Sequence, residues 1–309
     1  MIDRLIDKII EMQNPTCVGL DTDFDYLPDD MKADKAGEEI ATAESATERI
    51  TEFNMNVIDK ICDIVPAVKV QIAYYEMYGY EGLKAFNYTV NYARGRGMIV
   101  IADCKRNDIG STAGCYSKAY LGRTKINKKY IEAFPADMLT VNGYLGFDGI
   151  KPFIEDIKSR DKGIFALVKT SNPSSGELQN LKLESGEYVY ERMGRLVAEW
   201  GADTVGRYGY SDVGAVVGAT HPQEAENLRK KFPSVFFLIP GYGAQGGSAE
   251  MLKVCFDKRG LGGIVNSSRG IICAYKNPVY SGMNYHEAAR AACMDMQQDL
   301  LAAIGKIGR

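Results

Sequence analysis

Met98-Ile99-Val100-Ile101-Ala102-Asp103-Cys104-Lys105-Arg106-Asn107-Asp108 runs without a break from apolar residues into a concentration of charge. The apolar half predicts a buried strand, and the charged half predicts that its C-terminal end opens onto a polar site. Because side chains alternate along a strand, Asp103 and Lys105 are expected to point the same way, setting a carboxylate beside an ammonium, with Asp108 close enough to add a second anion. An ammonium held between carboxylates stays protonated and fixed, which suits it to stabilise a developing carbanion and then hand it a proton. A solvated loop following a strand can carry the same residue types, so the context of the motif decides between the two.

That context is repetitive. Strand-like runs recur at 17–21, 67–72, 98–103, 137–142, 164–169, 213–219, 235–240 and 262–266. Helix-like stretches between them include 44–64, 81–94, 111–119, 188–200, 223–231 and 248–257. The runs are near-continuously apolar, as in a parallel sheet covered by helices. Eight β/α units without a break in composition predict one closed (β/α)8 TIM barrel of parallel strands, a single domain spanning 1–309. Asp21, Lys69, Asp103, Asn142, Thr170 and Ser268 all fall at or near strand C-terminal ends, the face on which such barrels build their sites. An open dinucleotide-binding sheet would place a GxGxxG turn after its first strand, whereas Asp21-Thr22-Asp23-Phe24 stands there. Long insertions are expected after strands 1 and 5, each with helical sequence and a loop able to cover the barrel mouth.

Composition narrows the class further. With 37 basic and 40 acidic residues the formal net charge is −3, and no long stretch favours one sign. Neither nucleic acid nor a membrane is expected as a partner. The seven cysteines form no CxxC pair, which fits reduced thiols in the cytoplasm. The N-terminus has amphipathic helical spacing without the apolar core of a signal peptide. His221 and His286 lie away from the strand mouths, His221-Pro222 reads as a helix start, and no metal ligand set is expected.

Two elements are shaped for phosphate. Strand seven leads into Pro240-Gly241-Tyr242-Gly243-Ala244-Gln245-Gly246-Gly247-Ser248, where glycines let backbone N–H groups turn toward an anion and a following helix would add its N-terminal dipole. Strand eight ends in Asn266-Ser267-Ser268-Arg269-Gly270, placing a guanidinium beside that loop. A phosphoester ligand is expected. Glycine also serves tight barrel turns for geometry alone, Asp21 could simply cap a turn, and Ser171 before Asn172-Pro173 could be a turn residue. Lys69 is different: an ammonium within an apolar strand requires carboxylate partners.

With these pieces in place, the chain resembles the orotidine 5'-phosphate decarboxylase family, and more closely its longer bacterial subfamily. The resemblance is carried by Val18-Gly19-Leu20-Asp21, Val68-Lys69-Val70-Gln71-Ile72-Ala73, the Asp-x-Lys-x-x-Asp-Ile-x-x-Thr pattern from Asp103 to Thr112, Thr140-Val141-Asn142, Lys169-Thr170-Ser171-Asn172-Pro173 and the two phosphate-shaped elements. It implies that Lys69, Asp103, Lys105 and Asp108 form an alternating charge network, with Asp108 and Thr112 crossing from the partner subunit of a homodimer with shared active sites. It also implies that Asp21 bonds the ribose, Ser171 the pyrimidine, and Gln245 and Arg269 the 5'-phosphate. The implied reaction converts orotidine 5'-monophosphate to uridine 5'-monophosphate without a cofactor, Lys105 stabilising and protonating the C6 carbanion. One departure is Gly143, where the long subfamily is expected to carry proline.

Two rivals remain. A sister barrel, a Mg2+-dependent sugar-phosphate decarboxylase or aldolase, shares Asp-x-Lys-x-x-Asp but needs an acidic metal ligand near the second strand, where Glu76 is the one acid close by. A catalytically silent phosphate-binding barrel would keep Gln245 and Arg269 but have no use for the four charges.

Overall fold

The computed structural model describes residues 1–33, 37–243 and 246–308. Eight parallel strands close into a barrel: β1 (Thr16–Gly19), β2 (Ala67–Gln71), β3 (Ile99–Arg106), β4 (Met138–Val141), β5 (Gly163–Lys169), β6 (Ser211–Val217), β7 (Val235–Pro240) and β8 (Gly263–Ser267). Each strand pairs with its neighbour in sequence, and β1 pairs with β8 to complete the ring.

The two-residue period sorts the strand side chains. One buried cluster fills the barrel and includes Cys17, Ala67, Ile99, Ile101, Met138, Phe165, Val216, Phe236, Leu238 and Ile264. Residues of the other parity, such as Val18, Val68, Val100, Leu139 and Val265, belong to a second cluster packed under the outer helices. Each fully buried side chain of this size is worth roughly 1.5–3 kcal/mol. The N-terminal helix Ile2–Met12 buries Ile2, Leu5, Ile6 and Ile9 against the inner cluster. It therefore seals one end of the barrel and leaves the other to carry the polar groups.

The expected insertions are present. After β1 come the turns Phe24–Tyr26 and Asp29–Met31 and then helix Ala43–Ile61, whose start is capped by Thr42 Oγ1 accepting the Ser45 N–H at 3.2 Å. After β5 come turn Pro173–Ser175, the short helix Gly176–Gln179 and helix Val189–Trp200.

Other elements depart from the sequence reading. Helix Phe147–Arg160 carries Gly149 and Pro152 within it, residues that read as breakers. Helix Tyr285–Ile304 buries a run of alanines and small residues against the body of the protein and shows little apolar contrast in sequence. A two-stranded hairpin, Thr124–Ile126 with Lys129–Ile131, follows helix Gly110–Tyr120. The helix expected over 248–257 is only Ala249–Leu252, followed by the turn Lys253–Cys255. There the Phe256 N–H bonds the Lys253 carbonyl at 3.1 Å in a tighter turn, and the Cys255 carbonyl accepts from the buried Arg229 Nε at 2.9 Å. Among the described residues no helix is long and apolar enough to cross a membrane.

Candidate active site

At the C-terminal ends of the strands lies a cavity of about 680 Å3, lined by residues from six or more of them, among them Asp21, Lys69, Asp103, Lys105, Ser171 and Arg269. Its charged floor follows from the inner row of side chains. Along β3, Ile99 and Ile101 fill the barrel and Asp103 is the next residue of the same parity. Along β2, Lys69 lies two residues beyond Ala67.

Asp103 is the centre. Its Oδ2 accepts from Lys69 Nζ at 2.9 Å and Gln71 Nε2 at 3.0 Å, and its Oδ1 accepts from Lys105 Nζ at 2.7 Å and Thr140 Oγ1 at 2.8 Å. Lys69 also reaches Asp21 Oδ1 at 3.1 Å, and Asp21 Oδ2 accepts from Ser268 Oγ at 2.7 Å. The chain of opposite charges thus runs Asp21, Lys69, Asp103, Lys105. Burial alone would raise the Asp103 pKa, but the ammonium groups of Lys69 and Lys105 outweigh it and hold the carboxyl well below the ordinary carboxylate range. Burial likewise pulls Lys69 down, and Asp103 and Asp21 more than offset it, so its ammonium is held above the ordinary lysine range. At 4% and 7% exposure Lys69 and Asp103 are buried charges that each depend on the other.

The alternation that was to align Asp103 with Lys105 does not continue past Asp103. Pairing with β4 steps from Ala102–Leu139 to Arg106–Val141, an advance of four residues on β3 against two on β4. Within this bulge Lys105 adopts φ 49°, a left-handed conformation costly for a non-glycine residue. The two side chains still meet, through the bulge and not through strand parity.

The remaining expected residues divide. Asp21, Ser171 and Arg269 line the cavity, as does Thr170. Arg269 has no ion-pair partner among the described residues and is exposed, leaving its guanidinium available to an anion. Asp108 and Thr112 are not part of the lining. Asp108 Oδ1 accepts the Ile109 N–H at 2.7 Å, and Thr112 is exposed on helix Gly110–Tyr120. Nor is Asn142, whose Oδ1 accepts the Tyr144 N–H at 3.0 Å in the turn after β4. Gln245 lies outside the described residues. In the glycine loop, Gly241, Gly243 and Gly246 take φ 104°, 71° and 92°, conformations that favour glycine. Since the helix after the loop is a single turn, the expected contribution from its dipole is small and Arg269 is the main positive charge there.

Sequence reasoning gave no role to several groups. Gln71 and Thr140 bond Asp103 because β2 and β4 flank β3 in the barrel, and Gln71 is in register with Asp103. Gly218 lets the chain at Ser171 lie close, since a Cβ there would come within 2.8 Å of the Ser171 nitrogen. A fully buried Lys169 ends β5 and donates to Asn180 Oδ1 at 2.9 Å and Ser175 Oγ at 3.3 Å, tying down the inserted segment that follows Ser171. The Gly143 departure also has a local cause: a Cβ there would stand 2.9 Å from Met193 Sδ and 3.1 Å from the Trp200 ring.

Among the described residues no three His, Cys, Asp or Glu side chains converge as a metal would require. Glu76, the acid a sugar-phosphate barrel would need, is instead paired with Arg106 Nη2 at 2.6 Å outside the cavity lining. His221 sits at the start of helix Pro222–Lys231, as its sequence suggests.

The chain is similar to known proteins along nearly its whole length. The sequence model of the orotidine 5'-phosphate decarboxylase / HUMPS family matches residues 16–285. The chain is 42% identical over 302 residues to an orotidine 5'-phosphate decarboxylase of Caldicellulosiruptor bescii, with 98% of each chain covered. It superposes on the structure of Leishmania donovani OMP decarboxylase with TM-score 0.71 and 26% identity, covering 98% of this chain and 97% of the other. It also superposes on Leishmania donovani UMP synthase with TM-score 0.73 and 27% identity, covering 98% of this chain and 56% of that longer one.

Proposed function

This chain belongs to the orotidine 5'-phosphate decarboxylase / HUMPS family and is a carboxy-lyase that converts orotidine 5'-monophosphate to uridine 5'-monophosphate in pyrimidine biosynthesis; on that premise we propose that Lys105 is its catalytic acid. The observation that carries the assignment is the Asp21–Lys69–Asp103 network, buried at Lys69 and Asp103, with Lys105 as its outermost member. In the reaction the C6–carboxylate bond breaks, CO2 departs, and the electron pair stays on C6 in an orbital with no π-system to absorb it. Stabilisation must then come from preorganised positive charge. The Lys105 ammonium supplies it and passes its proton to C6, and the resulting amine regains a proton from solvent. Asp103 fixes the ammonium and presents negative charge to the leaving carboxylate.

Asp21 would take the ribose hydroxyls, Ser171 the pyrimidine edge, and Arg269 with Gln245 the 5'-phosphate. Binding of that remote phosphate helps assemble the closed site. The reading extends to a single-domain barrel over 1–309 acting in the cytoplasm, in keeping with seven free thiols, and to a homodimer whose partner contributes Asp108 and Thr112. Supporting the dimer, Ile109, Tyr144 and Phe147 near Asp108 are 62%, 75% and 50% exposed, and apolar side chains grouped in this way suit burial against a second copy.

The reaction proceeds in this reading without a cofactor. Purified protein, exhaustively chelated, should consume orotidine 5'-monophosphate at its full rate, followed by the loss of pyrimidine absorbance. Activity that vanished with chelation and returned with Mg2+ would move the assignment to the sugar-phosphate branch of the superfamily.

A further inference from the structure

We propose that Thr140 is a positioning residue for this reaction: one hydroxyl on β4 sets both the carboxylate and the backbone that aim the Lys105 ammonium. A threonine hydroxyl offers one donor and two acceptor positions. Here Oγ1 donates to Asp103 Oδ1 at 2.8 Å and accepts the Lys105 N–H at 3.0 Å. The oxygen of Asp103 it binds is the same one that receives Lys105 Nζ at 2.7 Å, so hydroxyl, carboxylate and ammonium form a closed ring through the Lys105 backbone.

The bulge makes that ring necessary. With four residues of β3 set against two of β4, the N–H of Lys105 has no strand carbonyl opposite it, and the Thr140 side chain takes that place. The same bond secures the left-handed turn at φ 49°, a conformation that persists only where its surroundings over-determine it. Thr140 is itself 1% exposed and held by β4 between β3 and β5, so it serves as a rigid reference. Without the hydroxyl, the Lys105 N–H and one lone pair of Asp103 lose their partner, and the bulge can relax toward regular strand geometry, swinging the ammonium away from its direction into the cavity.

The inference rests on the reading that Lys105 protonates C6, and its test separates the two. Thr140→Val keeps shape and removes both bonds. It should lower kcat on the order of 10- to 100-fold, the usual effect of displacing a reacting group by about 1 Å, with KM for orotidine 5'-monophosphate changed less than about threefold. Thr140→Ser, which retains the hydroxyl, should restore kcat to within about threefold of the parent. A role confined to packing predicts the opposite, because valine fills the space and serine does not. Parental kcat in Thr140→Val, a loss confined to KM, or no rescue by serine overturns the inference while leaving Lys105 in place. If the valine protein does not fold, Thr140→Ala against Thr140→Ser gives the same comparison. Lys105→Ala is assayed alongside: substantial activity in that variant overturns the proton-donor reading and this inference with it.

Discussion

Lys105 is the accessible end of a buried network, its side chain 46% exposed against 9% for Asp103 and 5% for Lys69. Such a group can touch substrate while its partners fix it. Lys105→Ala should therefore lose activity by many powers of ten while still binding uridine 5'-monophosphate; retention of more than about a hundredth of parental kcat, a loss under ~3 kcal/mol, contradicts the role. Lys69 serves the fold as well as the site. Removing one partner of a buried pair leaves uncompensated charge, so Lys69→Met should cost roughly 3–5 kcal/mol in urea unfolding. The pH dependence has a definite sign. Asp103 is depressed in the folded state, so its contribution is complete above about pH 3.9 and is lost as pH falls through the folded value. Parental stability should thus fall more steeply in acid than that of Lys69→Met, whose Asp103 is less depressed. Equal slopes would show that Lys69 does not set the Asp103 titration.

Among the elements, the loops after β7 and β8 and the turn after β4 make separable predictions. Arg269 begins the short helix Arg269–Ile272 beside the glycine loop. If it grips phosphate, Arg269→Ala should damage kcat/KM for the nucleotide far more than for the phosphate-free nucleoside, and equal losses for both would remove it from the phosphate site. Gly143 is a matter of packing. With Met193 and Trp200 of helix Val189–Trp200 pressed against its backbone, Gly143→Ala should cost about 1–3 kcal/mol through overpacking. An unchanged thermal midpoint would mean that the helix yields freely.

For the molecule as a whole the decisive question is where Asp108 acts. It does not line the cavity of its own chain, and in the proposed homodimer it would complete the partner's site. Lys105→Ala and Asp108→Asn should each be nearly inactive, yet when mixed and reassembled they should regain activity. Random pairing in an isologous dimer restores roughly a quarter of all sites. If a mass tag proves that subunits exchange and the mixture stays inactive, the shared-site arrangement is wrong.

The barrel and the polar character of its open end were readable from residue order, because strand parity and β/α alternation are local properties repeated eight times. Lys69 announced its need for carboxylates for the same reason, as a charge inside an apolar run. Other features depended on which strands become neighbours when the sheet closes. Asp21 and Ser268 meet only because β1 pairs with β8. Gln71 and Thr140 bond Asp103 only because β2 and β4 flank β3. The helix after the glycine loop stops after one turn and tightens over Lys253–Cys255, where the Cys255 carbonyl accepts from Arg229 of another element. The direction of Lys105 is the clearest case: sequence parity put it beside Asp103, but a bulge set by pairing with β4, and a left-handed backbone held by a neighbouring hydroxyl, decided how it gets there. Periodicity is written along one strand, whereas register between strands is a property of the closed sheet, and the chemistry of this site depends on both.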